Sequence, residues 1–593
     1  MNALLDTLFA AFPLAESLKH LARLTAWDRF QASHGIVEAA HFVGEVLDGR
    51  GLSDVSVHHI ACPARWWTFD GPQSWTPVSA LLRTGGQNIV RYPDDALCLA
   101  TNSAATQRRF VALHPGCRGD VRDKVVVLEQ SDFPGGITAV ERSGAVGILM
   151  DTSAADQPEA RARLELPNGT GLFGFSLKSA ELALVRQFNA VEVEIETATG
   201  APMPLVEARL PGFDDAAEIL VQAHLCHPRP GANDNCSGVA AALGLAAALR
   251  SLPGQPRRGV RFLFAPEFVG TAAFLHDFVQ TGRRPRPIAA VNLDMVGEDQ
   301  SRCGGPLTVE LPPDHMASPL GAISEHMLMA LPHVGRTYSG SLPARNWNAI
   351  TTPFAGASDH AIFADRSVAI PAIMIGHWPD RFNHTSFDTI DKVDAEELRR
   401  AAILAGGCAW TMATADQSVH RELEKITVHH VIGRLLAAAR SPGADRMLLD
   451  HIATTGYRQL DGLERLTGGR SSLARRTIAA QTDLLCQLHD LSAAPDGTSR
   501  GAIVRTWPGP FNLRGLLRDA TGAQAHRVRR RIASDRSAYA CVLALAHAID
   551  DSSGRGTVLR RAACSSMLSI DADFAEAVFD TMAAAGWTRE LAA

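Results

Sequence analysis

The sequence lacks a long apolar run, a surplus of positive charge and any pair of closely spaced cysteines. No apolar stretch reaches the roughly 20 residues that a membrane-spanning helix needs, so we expect no contact with a membrane. Lysine and arginine number 57 against 63 acidic residues, a net charge of −6, which gives no reason to expect a nucleic-acid partner. The ten cysteines show no Cys-x-x-Cys spacing, and the first eleven residues lack the basic stretch of a secretory signal. These absences favour a cytoplasmic protein with reduced thiols.

With 593 residues the chain is too long for one hydrophobic core, so we expect several domains. The pattern of strand-like and helix-like segments separates the chain into four regions, which are residues 1–85, 90–198, 205–415 and 425–593. The second region contains an apolar strand at Val125–Leu128, a helix-like segment and a second strand at Val146–Met150. It therefore reads as a small α/β domain.

The third region alternates strands with helices. Its nearly continuous apolar runs predict buried strands at Glu218–Leu225, Val260–Ala265, Ile288–Met295 and Val368–Ile375. Helices are predicted at Ser237–Leu249, Thr271–Val279 and Ala395–Thr414. The predicted fold class is therefore α/β, with a mainly parallel mixed sheet between two layers of helices.

Side chains that suit a metal follow each of these strands. They are His224, His227, Asp234, Glu267, Asp294 and His384. The carboxyl ends of parallel strands meet at one crevice, where ligands bind. Histidines and carboxylates around an open position suit catalytic zinc, and a carboxylate between two ions can hold them about 3.5–4 Å apart. Each residue alone has a structural explanation, but their common position at the strand ends favours a metal site.

The motifs around these residues resemble a known family. Gly-Ala-Asn-Asp-Asn-Cys-Ser-Gly at 231–238, Asn-Leu-Asp-Met-Val-Gly at 292–297 and Asn-His-Thr-Ser-Phe-Asp-Thr at 383–389 are similar to motifs of the co-catalytic zinc aminopeptidases. That family includes leucyl-type bacterial aminopeptidases and glutaminyl cyclases. The resemblance implies one or two zinc ions, with Asp234 as the bridging ligand, Asp294 on one ion and His384 as the last histidine. Ser358-Asp359-His360 is also similar to the family pattern upstream of that histidine.

More narrowly, the chain resembles aminopeptidase-like proteins that carry Cys-His-Pro and Pro-Glu motifs and a C-terminal winged-helix region. By this resemblance residues 1–85 are the N-terminal part of the peptidase domain and residues 205–415 its catalytic core. Residues 90–198, with Lys-Val-Val-Val and Gly-Ala-Val-Gly-Ile strands, resemble an inserted protease-associated domain. Residues 425–593, with Trp-Pro-Gly-Pro-Phe-Asn at 507–512 and helices spaced as in a helix-turn-helix, resemble the winged-helix region.

Two departures from the family pattern leave residue roles open. The family writes its first ligand as His-x-Asp, but here Cys226 stands where the carboxylate would orient His224. We favour His227 as the ligand and keep His224 as the alternative. The family also has two adjacent glutamates, a general base and a zinc ligand, and here only Glu267 stands. Glu267 is therefore either base or ligand, and Glu298 is an outside candidate for the missing carboxylate.

The resemblance implies an aminopeptidase that acts on peptides with a free N-terminus. Two alternatives remain, which are a zinc amide hydrolase or transferase with a non-peptide substrate and a catalytically degenerate binding or regulatory protein. For the C-terminal region we expect control of access to the site or self-association rather than DNA binding, although the basic run Arg527–Arg531 argues the other way.

Overall fold

The structure is a computed structural model that describes residues 2–132, 135–331, 347–492, 501–535 and 537–591. All ten cysteines lie in these ranges, and each is a free thiol. Within the same ranges no helix is both long enough and apolar enough to cross a membrane.

The strands and helices alternate through most of the chain. The strands are β1 (Ser53–Ile60), β2 (Arg65–Trp66), β3 (Phe69–Asp70), β4 (Thr76–Thr84), β5 (Gln87–Tyr92), β6 (Thr106–His114), β7 (Val125–Leu128), β8 (Gly147–Asp151), β9 (Phe173–Leu177), β10 (Ala190–Ala198), β11 (Met203–Leu210), β12 (Asp214–His224), β13 (Arg258–Ala265), β14 (Arg286–Leu293), β15 (Leu307–Glu310), β16 (Ala349–Thr352), β17 (Ala372–His377), β18 (Ala502–Arg505) and β19 (Thr588–Leu591). The helices are α1 (Asn2–Ala11), α2 (Leu14–Leu24), α3 (His34–Gly49), α4 (Gly135–Arg142), α5 (Ser179–Val185), α6 (Gly238–Arg250), α7 (Val269–Thr281), α8 (Gln300–Cys303), α9 (Leu320–Ala330), α10 (His360–Phe363), α11 (Ala395–Thr414), α12 (His420–Ala439), α13 (Arg446–Thr467), α14 (Ser472–Leu488), α15 (Leu513–Asp519), α16 (Gly522–Ser534), α17 (Ser537–Ala548), α18 (Arg555–Ser566) and α19 (Ala572–Ala584).

The main sheet has eight strands in the order β1-β11-β13-β12-β14-β17-β15-β16. Its four central strands, β13, β12, β14 and β17, are parallel to one another, and antiparallel pairs flank them. The α/β class and the mixed sheet are thus as predicted. The fourth strand begins at Ala372 rather than Val368, because Ala369 has a positive φ of 57° and the chain turns there.

Alternate side chains of the central strands enter two different cores, which explains their continuous apolar runs. Ile219 and Val221 of β12 pack in a core with α6 and α11, whereas Leu220 packs on the opposite face with residues of α7 and α10. A strand buried on both faces needs apolar residues at every position. The sheet therefore lies between two helical layers.

The inserted domain is larger than the sequence predicted. Its seven-stranded sheet has the order β5-β4-β10-β6-β7-β8-β9. Because β4 pairs antiparallel with β10, the insertion begins near residue 76 rather than residue 90. The predicted strands at Val125 and Val146 correspond to β7 and β8, which are parallel neighbours.

The region from residue 425 to the C-terminus divides into two parts, and the predicted boundary falls inside α12. Helices α12, α13 and α14 contribute buried residues such as Leu423, Leu435 and Ile478 to the core of the main domain. Residues 501–591 have a core of their own, which includes Trp507, Phe511 and Trp587. We call residues 501–591 the C-terminal unit.

Candidate metal centre

The ends of β12 and β14 bring one histidine and two carboxylates together. His224 is the last residue of β12, Asp294 follows β14 directly, and Asp234 lies in the segment that precedes α6. His224 Nε2 lies 3.4 Å from Asp234 Oδ1 and 3.2 Å from Asp294 Oδ1. All three side chains are buried, and their possible ligand atoms lie within 4.8 Å of one another. We call this group the first donor set.

A second donor set shares Asp234. The Oδ2 atom of this residue lies 3.5 Å from His227 Nε2 and 3.1 Å from His384 Nε2. The two imidazole rings stack, with centroids 5.3 Å apart. His227 is buried, whereas the His384 side chain is 48% exposed and opens the centre to solvent. Each oxygen of one carboxylate thus faces a different donor set, which is the geometry of a bridging ligand.

Backbone carbonyls orient the two buried histidines. His224 Nδ1 bonds to the carbonyl of Cys226 at 3.0 Å, and His227 Nδ1 bonds to the carbonyl of Pro228 at 2.9 Å. Each of these two contacts places a proton on Nδ1 of its ring and turns Nε2 toward Asp234. The family's orienting carboxylate is therefore replaced by the Cys226 carbonyl. Both histidines that the sequence left as alternatives reach the centre, one in each donor set.

The buried polar atoms of the centre fit a bound cation. His227 Nε2 forms no hydrogen bond to any described residue although it is buried. Burial lowers the pKa of His227, and the charge of Arg163 lowers it further, so that the ring stays neutral and able to ligate. Burial also lowers the pKa of His224, but Asp294 and Glu267 outweigh this effect and raise it well above its usual value. Imidazole nitrogens and carboxylate oxygens are ligands that catalytic zinc uses, and a cation bound here would displace the proton that the carboxylates favour on His224.

The segment before α6 is tied to the end of β14 by alternate side chains. Three consecutive backbone amides that follow β14 donate hydrogen bonds to side chains of this segment. The Met295 amide donates to Asn235 Oδ1 at 3.1 Å, the Val296 amide to Ser237 Oγ at 3.0 Å and the Gly297 amide to Asn233 Oδ1 at 3.0 Å. These bonds leave Asp234 directed toward the two donor sets. A Cβ atom on Gly238 would lie 2.5 Å from the carbonyl oxygen of Leu293, so only glycine permits this close approach.

Asp388 holds the same segment from the other side, and the sequence analysis assigned it no role. Its carboxylate accepts hydrogen bonds from the amides of Asn233 at 2.7 Å and Asp234 at 3.0 Å. Burial raises the pKa of Asp388 to about 8, against the effect of these two amides. The only sequence signal for this residue is its place in the motif that contains His384.

Glu267 lies beside the donor sets without belonging to either of them among the described residues. Its amide donates to Cys226 Sγ at 3.2 Å, and the next amide, Phe268, donates to Asp359 Oδ1 at 2.7 Å. Burial raises the pKa of Glu267 to about 8, although His224 lowers it, and Asp294 and Asp359 raise it further. Asp359 is thus a second residue whose role was missed, although its motif was noted.

Glu298 is not part of this centre, and it is not a solvated loop acid either. The side chain is completely buried, and Oε1 accepts a hydrogen bond from the amide of Gly305 at 2.9 Å. It lies near Cys303 and Asp380, in a separate group. Burial first, and Asp380 second, raise the pKa of Glu298 to about 9. The missing carboxylate of the family pattern is therefore not supplied by Glu298, and His227 occupies the centre instead.

A cavity of about 300 Å³ opens onto His224, His227 and Glu267. Three parts of the chain form its walls. The main domain contributes Phe69, Val269 and Ile362, the inserted domain contributes Thr101, Arg163, Glu165 and Asn168, and the C-terminal unit contributes Phe511, Arg514, Tyr539 and Leu543. The C-terminal unit is fixed there because the Phe511 amide donates to Asp365 at 3.0 Å and Asn512 Nδ2 donates to the Thr68 carbonyl at 2.9 Å.

The fold and the centre define an α/β protein with two adjacent candidate metal-binding positions that share one aspartate. Residues 206–407 match the model of peptidase family M28, and this segment includes every residue of the two donor sets. Residues 21–302 match the model of a domain of unknown function, DUF4910. The family match and the donor atoms together imply zinc as the metal.

Several solved structures share the fold at low sequence identity. A zinc aminopeptidase from Bacillus subtilis is 18% identical with a TM-score of 0.50, and the match covers 67% of this chain and 94% of that one. A candidate peptidase from Clostridium acetobutylicum is 16% identical with a TM-score of 0.52, and the match covers 82% and 97% of the two chains. A peptidase M28 precursor from Shewanella amazonensis is 16% identical with a TM-score of 0.50, and the match covers 70% and 97%. No curated protein matches the sequence.

Proposed function

We propose that this protein is a zinc-dependent aminopeptidase that hydrolyses the first peptide bond of peptides with a free N-terminus. The observation that carries the proposal is the pair of donor sets joined by Asp234, with Glu267 beside them at a partly closed cavity. The match of residues 206–407 to peptidase family M28 supports a peptidase. The zinc aminopeptidase from Bacillus subtilis, which has the same fold, is consistent with the finer assignment.

The two donor sets would hold one zinc ion each. His224, Asp294 and one oxygen of Asp234 form the first position, and His227, His384 and the other oxygen of Asp234 form the second. Zinc at these positions would polarise the substrate carbonyl and lower the pKa of a bound water. In this proposal His227 takes the place of the family's second glutamate, and the grouping of His227 with Asp234 and His384 supports that role.

Glu267 is then free to act as the general base. It removes a proton from the attacking water and delivers it to the leaving amine nitrogen, while the carbon–oxygen bond forms and the carbon–nitrogen bond breaks. Its backbone is fixed on both sides, by Cys226 Sγ at its own amide and by Asp359 at the amide of Phe268. A base held in this way keeps its distance to the donor sets during the reaction.

The cavity supports an exopeptidase rather than an endopeptidase. Its volume of about 300 Å³ is at the lower end of the range for small-molecule sites, about 300–1,000 Å³. The inserted domain and the C-terminal unit both line the cavity and support an entrance narrowed against folded chains. The complete donor sets also argue against a degenerate binding protein, since a site without chemistry has no need of buried, unpaired ligand atoms.

Other predictions from the sequence stay predictions. They are the likeness of residues 90–198 to a protease-associated domain, the likeness of residues 425–593 to a winged-helix region, the self-association of that region and a cytoplasmic location. The position of the C-terminal unit on the cavity wall supports the expectation that it controls access to the site.

The test compares a peptide that has a free N-terminus with the same peptide after N-acetylation, using the purified zinc-loaded protein and mass spectrometry. We expect release of the first residue from the free peptide only, loss of this activity with a chelator and its recovery with zinc. Cleavage of the acetylated peptide at internal bonds would contradict an aminopeptidase, and full activity in metal-free protein would contradict a zinc enzyme.

A further inference from the structure

The charged side chains that line the cavity differ in whether they already have partners. Arg29 donates to the backbone carbonyls of Leu225 at 3.0 Å and Leu24 at 2.6 Å, so its charge serves the fold. Arg518 pairs with Asp70 and Asp519 at the rim. Arg163 and Arg514, in contrast, form no side-chain hydrogen bond or ion pair with any residue in the described part of the chain.

Arg163 comes from the inserted domain and is held directly on the metal centre. Its amide donates to the carbonyl of His384 at 2.8 Å. The neighbouring residues continue this contact, since Ser386 donates through its amide to the Arg161 carbonyl at 2.8 Å and accepts from the Arg161 amide at 3.0 Å. Arg163 lines the same cavity as His227. The position of its backbone beside the metal centre is therefore fixed by backbone pairing.

Arg514 comes from the C-terminal unit and lies on a segment that is anchored to the main domain. The anchors are the bonds from Phe511 to Asp365 and from Asn512 to Thr68 that precede it. Gly515, which follows it, is so close to the Thr68 carbonyl that a Cβ atom would lie 3.0 Å from this oxygen. Tyr539 lines the cavity in the same unit and feels the charge of Arg514. Both arginines thus sit on rigid parts of the chain.

We propose that Arg163 and Arg514 bind a carboxylate of the substrate and make the enzyme selective for short peptides with a carboxylate close to the cleaved bond. This inference rests on the proposed function. Two unpaired guanidinium groups in a partly closed cavity attract an anion, and guanidinium matches a carboxylate through paired hydrogen bonds. The small cavity places such a carboxylate within a residue or two of the reacting carbonyl. It is either the C-terminal carboxylate of a dipeptide or tripeptide or an acidic side chain.

The test uses two matched pairs of peptides with the zinc-loaded full chain. Leu-Gly is compared with its C-terminal amide, which tests the terminal carboxylate, and Leu-Asp amide is compared with Leu-Asn amide, which tests the side chain. We expect kcat/KM for the acid of at least one pair to exceed that for its neutral partner by about 10-fold or more, the usual scale of a charge-assisted hydrogen bond. The pair that shows the preference identifies the source of the carboxylate.

The variants Arg163→Gln, Arg514→Gln and the double variant should reduce this preference, the double variant to within about 2-fold. Hydrolysis of neutral leucine p-nitroanilide by Arg514→Gln should stay near the wild-type rate, which separates the subsite from the chemistry. Arg518→Gln is the matched control because Arg518 lines the same cavity but already has acidic partners, and it should keep the preference. Arg163→Lys and Arg514→Lys should retain part of it.

Equal kcat/KM for acid and amide in both pairs would overturn the proposal, and so would a preference that survives in the double variant. If no peptide or anilide is cleaved at all, the proposed function has failed rather than the subsite. In that case, titration calorimetry of peptide binding tests the carboxylate subsite independently of catalysis. Acid peptides should bind more tightly than their neutral partners to the wild-type protein, and the difference should vanish in the double variant.

Discussion

At the scale of single residues, the centre shows how one histidine can replace a carboxylate. The two donor sets contain two carboxylates, Asp234 and Asp294, and three imidazoles. Had a second glutamate stood where His227 does, the centre would carry one more negative charge. Two zinc ions held here would therefore be less neutralised by their ligands, which would strengthen their pull on a carbonyl oxygen or a water. In the proposed function Glu267 is the adjacent carboxylate for proton transfer.

The first prediction concerns Glu267. Glu267→Gln should lower kcat by about 100-fold or more, the scale for the loss of a general base, with little change in KM. The zinc content should stay at the wild-type level because Glu267 belongs to neither donor set. Asp70→Asn is the control, since Asp70 lines the same cavity and is paired with Arg518. A loss of zinc in Glu267→Gln would make Glu267 a ligand and contradict its assignment as the base.

At the scale of elements, the segment before α6 explains why its motif could be recognised. Residues at alternate positions, Asn233, Asn235 and Ser237, each accept one amide from the end of β14, so the spacing of the motif follows from the geometry of two adjacent backbones. The residue between them, Asp234, is free for the metal. The role of Asp388 could not be predicted, because its contact with the segment joins residues more than 150 positions apart.

The second prediction concerns Glu298, which anchors the turn at Gly305. The pKa of Glu298 rises from 4.5 to about 9 on folding. The folded protein therefore has its full free energy of unfolding below pH 4.5, where the carboxyl is neutral in both states, and loses part of it as the pH rises toward 9. Glu298→Gln keeps the shape and removes this dependence. Relative to the wild type, the variant should gain stability from pH 5 to pH 8, by up to about 4 kcal/mol. Denaturant unfolding of both proteins at pH 5 and pH 8 measures this difference in the free energy of unfolding.

An equal effect of Glu298→Gln at both pH values would show that Glu298 has an ordinary pKa in the folded protein. Glu396→Gln serves as the control because Glu396 is a partly exposed acid on α11. Its effect on stability should not change sign or size between the two pH values beyond the error of the measurement.

At the scale of the whole molecule, the sequence predicted the central strands and the direction of their ends, because fully buried strands leave continuous apolar runs. The extent of each domain leaves a weaker local pattern in the sequence. Strand β4 belongs to the inserted domain only through its pairing with β10, and helix α12 joins the main core only through packing. Neither contact leaves a local pattern. For the same reason the sequence could not predict that three parts of the chain, including Arg163 and Arg514, form the cavity walls.

The central claim is that His224 and His227 are ligands in two separate positions that share Asp234. It is tested most directly by the zinc content of the purified wild type and of His224→Ala and His227→Ala, measured by mass spectrometry after dialysis against buffered zinc. His41→Ala is the control, since His41 is exposed on α3 away from the centre. We expect about two zinc ions per chain in the wild type and the control, and at most about one in each of the other variants. Two ions in His227→Ala, in a folded protein, would contradict the account.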